Sequence, residues 1–229
     1  MALAGLVPGA MANLLINNWC GVGVKIVQSH NAGCDFGTDG RCISEGSQPW
    51  TIGPGTGQSI LGLDYITDGI GTSIKISKDD VADGILQFEY NVVQGEYGGL
   101  YWDLSDLDGS GGGLVGTPFH DQNVKVSPTG NGSGTGTCVT IRCEANKTCY
   151  DSYQHPDDPN TKFCPLDTGD IWLDLCQPYD QFITRLSSGN SPSHSNSTET
   201  IGEATSYHKR RHFHMESHVA RSYIHGHKH

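Results

Sequence analysis

Residues 85–108 read ILQFEYNVVQGEYGGLYWDLSDLD, and their pattern decides the fold class. Leu86, Phe88, Tyr90 and Val92 alternate with Gln87, Glu89 and Asn91, the period of two that marks a strand with one face in a core. After a Gly-rich loop at 94–99, Leu100, Trp102 and Leu104 alternate with Tyr101, Asp103 and Ser105. Two such runs joined by a short loop read as a hairpin. Both apolar sets must then share one face, because a slip of one residue turns a whole set outward. The register that sets Phe88 beside Leu104 and Tyr90 beside Trp102 meets this condition. It also sets Glu89 directly opposite Asp103. Side chains so opposed start roughly 5 Å apart at Cβ, where like charges destabilise the pair. On an outward face the two carboxylates are solvated and tolerated; in a groove they are candidates for chemistry.

Outward from this hairpin, the composition agrees with β-structure. Thirty-one glycines among 229 residues, few charges and short scattered apolar runs favour an all-β domain with many turns. Short strands are expected at 13–28 with a break near Asn17 and Asn18, at 59–63, 73–77, 123–127 and 171–176, and no segment has a convincing helical period. The formal charge of −11 is uneven. From Tyr207 onward Lys209, Arg210, Arg211, Arg221 and Lys228 stand against Glu216 alone; this tail of +4 leaves −15 on the 206 residues before it. An acidic domain with a short basic tail argues against nucleic acid as a partner. No stretch is long and apolar enough to span a membrane as a helix.

The eight cysteines Cys20, Cys34, Cys42, Cys138, Cys143, Cys149, Cys164 and Cys176 are an even set with no zinc-finger spacing, which reads as disulfides in an oxidising compartment. Cys34 and Cys42 bracket a glycine-punctuated loop and form a plausible local bridge. Cys138 and Cys143 lie five apart, so on an extended strand they point to opposite faces and do not bond to each other. MALAGLVPGAMA at 1–12 is a short apolar run ending Ala10-Met11-Ala12, the form of a signal-peptide remnant. Sequons at Asn131, Asn146 and Asn196 fit a secreted, extracellular or wall-associated glycoprotein. The chain thus divides into the remnant 1–12, a β-sandwich domain 13–186, a Ser/Asn/Thr-rich linker 187–206 and a basic, His-rich tail 207–229 that reads as disordered.

Five motifs in order carry a resemblance. They are Asn18-Trp19-Cys20 closing the first strand, Gln48-Pro49-Trp50-Thr51-Ile52 before Pro54-Gly55, Tyr101-Trp102-Asp103-Leu104-Ser105, the Cys138–Cys143 spacing, and Cys176-Gln177-Pro178. Together they resemble the thaumatin-like superfamily, its small fungal secreted or cell-wall antigen members in particular, over residues 13–178. The resemblance implies a disulfide-stapled thaumatin-like β-sandwich with Cys20 bonded to Cys176. It also implies an acidic cleft, which in some plant members binds or slowly hydrolyses β-1,3-glucan. Glu89 matches the cleft Glu and Asp103 the Asp of Tyr-x-Asp-x-Ser. A further cleft Asp falls at Leu100, and the cleft Arg has no counterpart near Glu89.

The chemistry expected from these residues is therefore binding first. Glu89, Tyr101, Asp103 and Asp106 outline a ligand groove, with a cell-wall glycan or a host cell-surface protein as partner of a monomer. Glu89 and Asp103 are also the candidate catalytic pair for a weak β-1,3-glucan hydrolase, since a retaining glycosidase needs two carboxyls about 5–5.5 Å apart, one of them protonated. Asp103, Asp106, Asp108 and Gly109 lack the spacing of a calcium loop and read as a solvated turn. No cofactor is expected in the domain. His208/His212 and His214/His218 are i,i+4 pairs that on a helix can hold Zn²⁺ or Cu²⁺, a third reading. His30, His120, His155 and His194 read as surface loop residues.

Overall fold

The hairpin forms in the expected register. Phe88 faces Leu104, Tyr90 faces Trp102 and Glu89 faces Asp103. The computed structural model describes residues 12–30, 35–36, 42–43, 49–55, 57–65, 71–81, 84–107 and 117–183. The leader-like segment 1–11, Cys34, Asp108, Gly109, the linker 187–206 with His194 and Asn196, and the tail 207–229 with His208, His212, His214 and His218 lie outside the described residues.

In chain order the elements are β1 (Asn13–Asn18), β2 (Val24–His30), β3 (Asp35–Phe36), β4 (Cys42–Ile43), β5 (Trp50–Ile52), β6 (Gly57–Gly62) and β7 (Thr72–Lys78). They continue with β8 (Leu86–Val93), β9 (Gly99–Ser105), β10 (Val124–Gly130), β11 (Ile141–Cys143), β12 (Lys162–Cys164), β13 (Thr168–Leu175) and α1 (Tyr179–Ile183). One sheet runs β11-β10-β13-β1-β6; the other runs β12-β9-β8-β7-β2-β3-β4, with β5 also paired to β2. Their inner faces form one core. Leu14, Ile16, Val126, Ile171 and Leu173 come from the first sheet and Ile26, Ile74, Ile76, Phe88 and Trp102 from the second, all fully buried. Trp102 stacks on Phe88 with ring centroids 5.6 Å apart, which fixes the centre of the hairpin within that core.

The first and last long strands lie side by side. β1 and β13 are parallel neighbours, and just beyond them Cys20 bonds Cys176 across a separation of 156 residues. Cys138 bonds Cys164 and Cys143 bonds Cys149, so the two cysteines five apart do avoid each other. The bridge expected between Cys34 and Cys42 falls partly outside the described residues.

Four details differ from the sequence reading. The break after the first strand falls beyond Asn18 rather than at Asn17 and Asn18. Buried Asn18 finishes β1, and its side-chain amide donates to Val22 O, Ile52 O and Gly53 O at 2.9, 3.1 and 2.8 Å while its Oδ1 accepts from Cys20 N. Those bonds satisfy the carbonyls of two turns at once. A five-residue helix, α1, follows Pro178 and buries Phe182. Lys125 and Arg142 hold its Gln181 and Phe182 carbonyls, so basic side chains meet the negative end of the helix. His30 is no surface residue: it is 5% exposed, its Nδ1 2.9 Å from Thr72 Oγ1. Finally, the polar side of the hairpin is not a solvated face. Every residue from Leu86 to Val92 is buried, Gln87, Glu89 and Asn91 included.

Candidate functional site

The outer face of the β8–β9 hairpin is built by strand parity alone. Gln87 pairs with Ser105, Glu89 with Asp103, Asn91 with Tyr101 and Val93 with Gly99, a polar ladder that grades into small and aromatic residues towards the loop. On the far side of β8, Ser73 of β7 lies opposite Glu89 and donates to Gln87 Oε1 at 2.9 Å. On the far side of β9, the short strand β12 sets Phe163 opposite Tyr101. The two rings meet at 5.0 Å and 57°, and the Tyr101 hydroxyl donates to Tyr97 O at 3.2 Å.

At the acidic end of this ladder the carboxyls are out of water. Asp103 is fully buried and Glu89 is 6% exposed. Burial first, and the neighbouring Glu89 second, push the Asp103 carboxyl well above the usual carboxylate range; Lys162 pulls weakly the other way. Two carboxyls so opposed suit a shared proton.

At the aromatic end the rings are open. Tyr97 is 71% exposed and Phe163 37%. The Phe163 ring lies against Gly99, where a Cβ would come within 2.1 Å of its Cε2. Glycine at 99 is thus what admits the ring to this face.

The structure therefore joins Glu89, Asp103 and Tyr101 and separates Asp106 from them. Asp106 follows β9 and is 4% exposed. It accepts from Ser152 Oγ at 2.8 Å and from Gln154 Nε2, and its amide donates to Tyr153 O at 2.9 Å. Burial raises its carboxyl, partly offset by those two side-chain donors. It is no solvated turn residue. Leu100 points into the core opposite Val92, so position 100 cannot add a third carboxylate to this face. Arg142 sits on β11 of the other sheet. Phe163, Tyr97 and Lys162 were not singled out from the sequence. Their signal was weak, because β12 is three residues long and emerges from a polar loop.

Elsewhere, Asn131 and Asn146 are both exposed. Asn131 Nδ2 donates to Asp167 at 3.0 Å, and Asn146 occupies a turn with φ of 59°. Among the described residues no group of three or more His, Cys, Asp or Glu side chains is placed to hold a metal ion. No described helix is long and apolar enough to cross a membrane.

Comparison with known proteins places this hairpin inside a family. The model of the family described as Blastomyces yeast-phase-specific protein, Bys1, matches residues 63–177, half of the chain. The chain belongs to the Bys1 family. The match runs from the end of β6 to Gln177 and contains the whole acidic and aromatic ladder. The chain is also similar to a secreted thaumatin-like protein, calA, of Emericella nidulans, at 37% identity over 98 residues, which are 42% of this chain. It spans about half the length of that relative. This likeness and the two-sheet, disulfide-stapled architecture agree with the thaumatin-like resemblance read from the motifs. Among solved structures, the protein elicitor MoHrip2 of Magnaporthe oryzae is similar with a TM-score of 0.49 and 22% identity, over 72% of this chain and 99% of that one. The thaumatin-like xylanase inhibitor TLXI is similar with a TM-score of 0.42 and 13% identity, over the same shares.

Proposed function

We propose that this Bys1-family chain is a secreted, non-catalytic binding module that holds a neutral glycan against the aromatic end of the β8–β9 hairpin. The observation that carries the reading is the contrast along one ladder. Tyr97, Tyr101 and Phe163 offer ring surface to solvent, while Asp103 one row away is fully buried. Aromatic faces bury the apolar face of a sugar ring at low entropic cost, since each ring has few rotamers to lose. A glycosidic oxygen needs direct approach to a catalytic acid, and burial at Asp103 withholds it. Secretion is supported by the three disulfides among the described residues and by the description of the Emericella relative as secreted.

A second reading rests on the same pair. Direct opposition of Glu89 and Asp103, with the Asp103 carboxyl raised, supplies the two components of a retaining glycosidase. Laminarin separates the two. The binding reading expects retarded migration of the purified protein in a laminarin gel, lost in Tyr101→Ala, with no release of reducing ends above that of Glu89→Gln. Release by the parent chain alone would instead establish the hydrolase.

A further inference from the structure

Strand parity also builds the outer face of the five-stranded sheet. Leu14, Ile16, Ile171 and Leu173 point into the core, so Leu15 of β1 and Trp172 of β13 point away from it. Leu15 pairs on one side with Ile60 of β6 and on the other with Trp172, which sets the three in one apolar row across neighbouring strands. Ile60 is 62% exposed and Trp172 38%. An isoleucine and a tryptophan open to solvent with a leucine between them make a continuous stripe, unlike apolar residues scattered singly over a surface.

The rows on either side are polar and acidic. In one, Asn13 pairs with Gly62 and its side-chain amide donates to Asp170 Oδ1 at 2.9 Å. Exposed Asp64 reaches over that glycine, its Oδ2 3.3 Å from where a Cβ would stand. In the other, Gln58 Nε2 donates to Asn17 Oδ1 at 2.7 Å and Asn17 Nδ2 to Asp174 Oδ1 at 2.8 Å. Lys125, the Cα partner of Asp174, is buried and its ammonium is directed to Gln181 O. A partner that suits this face therefore brings apolar side chains for the stripe and positive charge for its border.

The chain carries such a segment. Lys125 of β10 and Arg142 of β11 hold the Gln181 and Phe182 carbonyls of α1, so the chain leaves the sandwich one strand away from Trp172. From β10 to β6 is three strand spacings, about 14 Å. Residues 184–206 are Ser- and Asn-rich, and a coil of that length has an end-to-end distance of roughly 25 Å. Beyond them, 207–229 sets Phe213, Val219, Tyr223 and Ile224 among five Lys and Arg residues. Its +4 meets the −15 of the residues before it, whereas a second copy would bring −15 to −15. A neutral glycan would make no use of the Asp64 and Asp170 carboxylates.

We propose that the segment 207–229 docks on the outer face of the five-stranded sheet, with its apolar side chains over Ile60, Leu15 and Trp172 and its basic side chains against Asp64 and Asp170. The tether makes the contact intramolecular, at an effective concentration on the order of millimolar, so it forms without high intrinsic affinity. The face belongs to the opposite sheet from the aromatic ladder, and the two sites are independent.

Carbodiimide coupling of the dilute full chain, followed by peptide mapping, tests the contact. Lys209 or Lys228 is expected to join Asp64 or Asp170 within one molecule. Phe213→Ser combined with Tyr223→Ser, outside the sandwich and harmless to its folding, is expected to lower that yield several-fold, as is Ile60→Ser on the face. Raising the salt acts in the same direction, because exposed charges are screened. Of the four tryptophan indole N–H resonances, the tail variant is expected to move that of Trp172 alone. Links formed only between molecules would assign the face to a second copy. A Trp172 indole that laminarin moves and the tail variant does not would assign it to a glycan. Either result, or links spread evenly over the carboxylates of both sheets, would overturn the proposal.

Discussion

Glu89 on β8 and Asp103 on β9 are directly opposed across an antiparallel pair, and Asp103 is fully buried there. Two carboxyls held together away from water cannot both ionise cheaply, so this pair ties the stability of the hairpin to pH. The native Asp103 carboxyl titrates above its ordinary value of 3.8. The folded chain therefore keeps a proton that the unfolded chain releases. Its stabilising contribution is complete below the unfolded value and is lost as pH rises through the native one. Asp106 acts with the same sign. Asp103→Asn is expected to flatten the fall in urea midpoint between pH 4 and pH 8 while leaving the midpoint at pH 3 near that of the parent. A variant with an unchanged pH slope would show that the pair does not share a proton.

Gly99 sets the aromatic end of the same face. A Cβ there meets the Phe163 ring at 2.1 Å and Cys164 O at 2.8 Å. Gly99→Ala is expected to cost about 1–3 kcal/mol through overpacking. It should also displace Phe163 and weaken laminarin retention, whereas Gly21→Ala, open in space, leaves retention unchanged. Denaturation curves beside affinity gels give both readings.

The disulfides differ in what they close. Cys20–Cys176 spans 156 residues and Cys143–Cys149 spans 6. Loop-closure entropy assigns them about 5 and about 2 kcal/mol. Paired serine substitutions are expected to lower unfolding free energy in that order. The larger loss accompanies detachment of β1 from β13, visible as loss of amide protection at Leu14 and Ile16.

Asn146 is exposed, in a turn that carries the sequon Asn146-Lys147-Thr148. Expressed through a eukaryotic secretory pathway, the chain is expected to carry an N-glycan there. Intact mass before and after glycosidase treatment, compared with Asn146→Gln, measures it. An identical mass for the parent and its glycosidase-treated form would count against this expectation.

The hairpin register, the two-sheet class and the avoidance of a Cys138–Cys143 bond were legible from the chain because period-two alternation and strand parity are local properties. Phe88, Tyr90, Trp102 and Leu104 can share a core only if Glu89 and Asp103 share the other face. The Cys20–Cys176 bond came from family resemblance, since no local pattern couples residues 156 apart. Which face would be wet was not legible. Alternation predicts that polar residues point away from the core, but whether water reaches them depends on what packs over them, and Asp103 is wholly buried. Nor could the chain show that Asp106, three residues beyond Asp103, belongs to a different cluster. Its partners Ser152 and Gln154 lie 46 and 48 residues away and are delivered by a segment with no strand pattern of its own. Phe163 reaches Tyr101 by the same kind of long-range pairing. Sequence alone thus determined which residues share a strand face; only tertiary packing decided which of those faces are dry, and that sets the chemistry available to each carboxyl.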